Sequence, residues 1–313
     1  MTYDPFLPGP FRVSQHLLHA RDAARNRVFP VDLWHPPDAE PPLPLIVFSH
    51  AAAQGRRSAT YLCTHLASHG YAVAAMDHSE IVAPELGRPT DESGEERSRR
   101  WDAVIASRVP DVRFLLDHLL GGAASVALDE SRIGLAGHSF GGWTVLAAPG
   151  ADPRIRAVVA MAPGGASRPR PGILPATLTF DWGRDVPTLF LAAENDTSTP
   201  LAGIVEIFER TPATKRMVIL RRADHLHFLD DVEGWHERFR TMPVPPELAA
   251  IQKEMRPIGE LHTGDQAHSF ARGLALAHFD ATLKAGEDAR RFLDGDLEAR
   301  LSAAGVEASV HGL

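Results

Sequence analysis

Arg132-Ile133-Gly134-Leu135-Ala136-Gly137-His138-Ser139-Phe140-Gly141-Gly142 is the stretch on which the reading of this 313-residue chain turns. Residues 132–136 read as a short strand, and a helix starts after Ser139. Between them, Gly137-His138-Ser139-Phe140-Gly141 fits G-x-S-x-G. A turn this tight drives the serine into a strained backbone conformation, and glycines two residues to either side avoid a steric collision. The serine oxygen is thereby held out above the sheet, at the positive end of the following helix.

Apolar runs on either side extend the pattern. Residues 11–18 and 27–34 read as two early antiparallel strands at a sheet edge, where Pro30 is tolerated. Leu45-Ile46-Val47-Phe48 and Tyr71 to Met76 are unbroken apolar runs, as strands buried on both faces require. A helix-like stretch over 59–69 separates them and stops at Gly70. Further strands are predicted over Ile155–Met161, Leu189–Ala193 and Met217–Leu220. Further helices are predicted from Pro110 to Gly121-Gly122, from Thr199-Pro200 to about residue 209, and over Phe270–Leu283. Strands alternating with helices imply an α/β architecture, a mostly parallel central sheet with helices on both faces. Its ligand site lies at the carboxyl ends of the strands. The length suits a single domain over 1–313, with loop insertions at about 78–108, 163–187 and 230–267 that shape the pocket.

A serine hydroxyl is a poor nucleophile until a base takes its proton, and the base is usually a histidine oriented by a carboxylate. On this kind of sheet the chain order is serine, acid, histidine. The best acid is Asp196, three residues after the strand Leu189–Ala193. Glu194 is its neighbouring rival, and Asp181 and Asp185 precede the strand. The best base is His225, on the loop leaving the last predicted strand, with His227 two residues on as the alternative. Ester attack also needs two backbone N–H groups for the developing oxyanion. One belongs to Phe140. The other belongs to the small-residue loop Ser49-His50-Ala51-Ala52-Ala53-Gln54-Gly55.

Composition narrows the function further. The chain has 32 Lys plus Arg against 40 Asp plus Glu, a formal charge of −8. That leaves no electrostatic footprint for nucleic acid or an anionic membrane. The one cysteine, Cys63, excludes an internal disulfide and sits in an apolar stretch as a small buried hydrophobe. No apolar run is long enough to span a bilayer. Met1-Thr2-Tyr3-Asp4-Pro5 lacks a secretory pattern, so a cytoplasmic location is expected. His65 and His69 stand four apart as zinc-protease ligands do, but the position of the required glutamate is Leu66, so a packing role is expected. His225 and His227 with Asp224 lack a second ligand cluster, and no metal or organic cofactor is expected. Trp101, Trp182 and Trp235 read as local core or pocket wall.

Three motifs taken together resemble a known family. They are Phe48-Ser49-His50-Ala51-Ala52, then Leu66-Ala67-Ser68-His69-Gly70-Tyr71-Ala72-Val73-Ala74-Ala75, then Gly137-His138-Ser139-Phe140-Gly141-Gly142. Over roughly residues 40–230 they resemble the platelet-activating-factor acetylhydrolases, with dienelactone-hydrolase-like and polyester-hydrolase-like esterases as broader kin. The resemblance implies the α/β-hydrolase fold and a triad of Ser139, Asp196 and His225. It also implies oxyanion N–H groups from Ala52 and Phe140. His225-Leu226-His227-Phe228 is similar to the family's H-x-x-F ending, which favours His225. Ala51 stands where the family usually has glycine, which implies a narrower acyl pocket. The expected activity is a serine carboxylesterase acting on small- or medium-chain esters of small molecules. The competing expectations are a polyester hydrolase or lipase with the same triad, and a non-catalytic binding protein on the same fold. A dienelactone-type hydrolase usually uses a cysteine where this chain has Ser139.

Overall fold

The computed structural model describes residues 3–89 and 91–312. Among the described residues nine strands form one sheet: β1 Ser14–Asp22, β2 Arg27–His35, β3 Leu43–Ser49, β4 Ala72–Met76, β5 Leu128–His138, β6 Ile155–Met161, β7 Thr188–Ala193, β8 Lys215–Leu220 and β9 Ala308–Val310. Their order is β1-β2-β4-β3-β5-β6-β7-β8-β9. The strands from β4 to β8 run parallel, while β1, β2 and β9 are antiparallel to their neighbours. All residues of β3, β4 and β7 are buried, Ser49 and Thr188 at two strand ends included, as their otherwise apolar sequences require. Pro30 falls on β2, which lies between β1 and β4 and is not the edge strand expected of it; its carbonyl accepts from Asp77 N at 3.1 Å just before the ladder with β4 begins at Val31, and only its own donor is missing.

The helices are α1 Thr60–Ser68, α2 Ser79–Val82, α3 Gly94–His118, α4 Phe140–Ala147, α5 Leu201–Arg210, α6 Val232–Thr241, α7 Pro246–Glu254, α8 Gly264–Leu283, α9 Glu287–Asp294 and α10 Leu297–Ala303. Helices α1 and α8 pack together against the sheet; α3 and α4 pack together, with α4 lying on β3, β5 and β6. The Phe279 ring of α8 lies so close to β5 that a Cβ at Gly134 would sit 2.7 Å from it. Small residues in the strand thus set how near the helix comes.

Three stretches depart from the sequence expectation. Residues 78–108 are not a continuous loop, and Pro110 does not open a helix. The helix begins at Gly94 on a capping box, in which Ser93 Oγ accepts from Glu96 N and Glu96 accepts from Ser93 N. Pro110 then lies inside it. Residues 230–267 hold α6 and α7, each with few buried positions and so little apolar periodicity. Beyond α8 the chain adds α9, α10 and the three-residue edge strand β9, with Asp296 capping α10 through Ala299 N. His65 and His69 bond the carbonyls of Pro5 and Leu7, tying the first residues to α1. Cys63 is buried. Among the described residues no helix is long and apolar enough to cross a membrane.

Candidate active site

The register of the sheet brings the candidate residues to one edge. Ser49 pairs with Gly137 across β3 and β5, and His138 pairs with Met161 across β5 and β6. The loops that follow β3, β5, β7 and β8 therefore leave from one end of the sheet. They carry residues 50–55, Ser139, Asp196 and His225 respectively.

Ser139 has φ 59° and ψ −115°, in the left-handed half of the map where a side chain is strained. Such a conformation costs on the order of 1–3 kcal/mol and persists only where its surroundings hold it. Here the Ser139 N–H donates to the Met161 carbonyl at 2.9 Å, and its own carbonyl accepts from Trp143 N and Gly164 N at 3.0 Å each. The flanking glycines are obligatory. A Cβ at Gly137 would stand 2.3 Å from the Gly141 carbonyl oxygen, and one at Gly141 would stand 1.9 Å from that of Ser49. Phe140 is the first residue of α4, so its N–H has no intrahelical acceptor and faces outward from the positive end of the helix.

His225 reaches both neighbours. Its Nε2 lies 2.8 Å from Ser139 Oγ and its Nδ1 lies 2.7 Å from Asp196 Oδ2. Asp196 is buried and held on every side. Its Oδ1 accepts from Ser198 N at 2.8 Å and Thr199 N at 2.7 Å, and its Oδ2 accepts from Thr199 Oγ at 2.8 Å. Burial works against an imidazolium at His225. The Asp196 charge and hydrogen bond, joined by the charge of Asp224, overcome it, so the His225 pKa lies above the ordinary imidazole value. His138 packs its ring 4.7 Å from that of His225. Burial, and then the nearby His225, hold its pKa well below the ordinary value, so it stays neutral behind the base.

The rivals have other partners. Glu194 accepts from Arg222 N at 3.0 Å and pairs with Arg221 at 2.9 Å. Asp185 accepts from Thr214 N and Oγ. His227 is fully buried. It bonds Asp224 Oδ1 at 2.8 Å and the His262 carbonyl at 3.0 Å, and it points away from Ser139's base into a cluster that also holds His236. Trp182 is core, its Nε1 donating to the Leu146 carbonyl. Trp101 lines a cleft together with Gly172 and Leu248, so the segments 78–108, 163–187 and 230–267 do meet. Arg170 links two of them to the acid loop, bonding Glu254 at 2.6 Å and the Thr197 carbonyl at 2.9 Å.

Two participants escaped the sequence reading. Thr199, read only as a helix cap, orients Asp196; the signal was its spacing three residues after an aspartate in a turn. By sequence, Arg108 ends the loop insertion expected at about 78–108. It instead lies on α3, fully buried beneath the loop after β3. Among the described residues no group of three or more His, Cys, Asp or Glu side chains is placed to hold a metal ion.

A family model described as PET hydrolase-like matches residues 31–233. This chain belongs to the PET hydrolase-like family. Two relatives of this PET hydrolase-like chain are a platelet-activating factor acetylhydrolase of Cavia porcellus and cutinase est1 of Thermobifida alba. The first is 27% identical over an alignment of 229 residues that covers 60% of this chain and 48% of that protein. The second is 27% identical over 181 residues, 56% of this chain and 50% of that protein. The PET hydrolase-like chain thus spans about half the length of the curated relatives it matches. A solved structure of a ferulic acid esterase from Streptomyces cinnamoneus superposes with a TM-score of 0.69 at 24% identity, covering 97% of this chain and 98% of that one. At that identity the likeness shows the α/β-hydrolase fold alone.

Proposed function

We propose that this protein is a serine carboxylic ester hydrolase acting through an acyl-enzyme, with Ser139 as nucleophile, His225 as general base and acid, and Asp196 as the orienting carboxylate. The observation that carries the reading is the unbroken path from Ser139 Oγ through His225 to Asp196, with contacts of 2.8 and 2.7 Å. His225 Nε2 takes the Ser139 proton as the oxygen attacks the ester carbonyl. The Phe140 and Ala52 N–H groups receive the oxyanion. Exposure of Ala52 on the loop after β3 supports its part in this. His225 returns the proton to the departing alcohol, and water then cleaves the acyl-enzyme with the same base. The substrate is a small-molecule ester with a small or medium acyl chain, in keeping with Ala51 beside the oxyanion position. We also read the chain as one domain, supported by a single sheet that takes strands from Ser14 to Val310.

The family match and the cutinase relative favour a second reading, a polyester hydrolase using the same residues. A p-nitrophenyl ester series from acetate to laurate, run beside a polyester film, tests both. The expected result is turnover of the short and medium esters that Ser139→Ala abolishes. Film hydrolysis at a comparable rate supports the second reading. No Ser139-dependent turnover of any ester overturns both in favour of a non-catalytic binding protein.

A further inference from the structure

Arginine is among the residues least often buried without a partner, because its charge must leave water. Arg108 is fully buried. Its charge meets Glu80, which pairs with Nη2 and accepts from Nε at 3.2 Å. Asp111, one turn along α3, is matched by Arg25 at 2.6 Å and is bound by Ser79, so Glu80 is the counter-ion in direct contact with the guanidinium. Three further contacts join the guanidinium to neutral groups. Arg108 Nη1 donates to the His50 carbonyl at 2.8 Å and approaches Ser49 Oγ at 3.3 Å. The guanidinium carbon sits 4.2 Å from the centre of the Phe140 ring, in a cation–π stack.

One guanidinium therefore touches both chain segments that carry the oxyanion N–H groups in the function proposed above. The loop after β3 is pinned a second time by His50. Its Nδ1–H donates to the Ala51 carbonyl at 2.7 Å, while its Nε2 accepts from His78 N at 3.1 Å. The Ala51 carbonyl and the Ala52 N–H belong to one planar peptide, so fixing the first aims the second. His50 keeps a neutral ring, because burial and then the neighbouring Arg108 hold its pKa well below the ordinary value. We infer that Arg108 is a positioning residue for the oxyanion hole, a buried bracket that sets the separation of the Ala52 loop from Phe140. This inference rests on the proposed ester hydrolysis.

The test is Arg108→Met combined with Glu80→Gln, so that no carboxylate is left buried without its partner. Steady-state kinetics on a p-nitrophenyl ester are normalised to sites titrated with a fluorophosphonate, and affinity for a trifluoromethyl ketone is measured in parallel. Removing a whole oxyanion donor costs about 10²–10³ in kcat, so misaligning one is expected to cost about 10–100-fold. KM stays within about threefold, and ketone binding weakens by the same factor as kcat. A structural role alone would lower the titrated fraction and leave kcat per site unchanged, and that result overturns the inference. Should the double variant not fold, Phe140→Leu removes the ring under the guanidinium and keeps the amide. A fall of about 5–20-fold in kcat is expected there, and an unchanged kcat overturns the inference. Turnover that survives Ser139→Ala would instead sink the proposed function, whatever Arg108 does.

Discussion

Replacing Asp196 with asparagine reverses a hydrogen bond with almost no change of shape, and the surroundings fix how the amide must lie. The oxygen at the Oδ1 position accepts from two backbone N–H groups, of Ser198 and Thr199. An asparagine must keep its own oxygen there. Its NH2 then occupies the Oδ2 position, 2.7 Å from His225 Nδ1 and 2.8 Å from Thr199 Oγ. Thr199 tolerates this, since its hydroxyl accepts from the amide and donates to the Ala162 carbonyl at 3.2 Å. His225 does not tolerate it. Two donors cannot face each other, so Nδ1 must give up its proton and Nε2 must carry one. Nε2 then points an N–H at Ser139 Oγ and has no lone pair with which to accept its proton. The same tautomer trap in a serine protease triad costs about 10⁴ in kcat. We expect a fall of about 10³–10⁴ here, or about 4–5.5 kcal/mol of transition-state stabilisation. Because the backbone bonds survive, the loss of stability should stay within about 1.5 kcal/mol. Steady-state hydrolysis of p-nitrophenyl butyrate, with a thermal melt of the same preparation, separates the two effects. A kcat within tenfold of the parent would refute the reasoning, because the base would then not depend on Asp196.

Other consequences follow from the same geometry. His225 works only as the neutral base, and its pKa is raised. Activity should therefore appear as pH rises through a midpoint above the ordinary 6.5, and a kcat/KM profile with its midpoint below that value contradicts the assignment. The two neighbouring histidines should separate cleanly. His225→Ala should lower kcat/KM more than about 10³-fold with little effect on stability. His227→Ala, which removes bonds to Asp224 and the His262 carbonyl, should cost about 2–4 kcal/mol in urea unfolding and leave kcat/KM within about threefold. The opposite pattern would exchange their roles.

The parts of the molecule that could be read from sequence are those where backbone sterics or burial leave few choices. Gly137 and Gly141 announce the serine turn because any side chain there meets a carbonyl. The apolar runs Leu45-Ile46-Val47-Phe48 in β3 and Ala72–Met76 in β4 announce a sheet covered on both faces. Asp196 and His225 follow from strand-end position, and the family's pattern strengthens the preference for His225 over His227, since either can leave the last parallel strand. The start of α3 was legible in Ser93-x-x-Glu96 and was masked by the breakers Pro89 and Pro110. Strand β9, with three half-buried residues at the sheet edge, carries no periodic signal of its own. Arg108 illustrates a deeper limit. Its burial depends on Glu80 and Phe140 arriving from separate elements, and nothing local to residue 108 records that meeting.

The account rests on Ser139 being the one activated hydroxyl, poised 2.8 Å from an imidazole nitrogen. Intact-mass and peptide-mapping spectrometry after reaction with a fluorophosphonate tests this most directly. The prediction is a single adduct per chain, on the peptide that contains Ser139, absent from Ser139→Ala and slowed in His225→Ala. An adduct on another residue, or ester turnover in a chain that takes up no label, would contradict it.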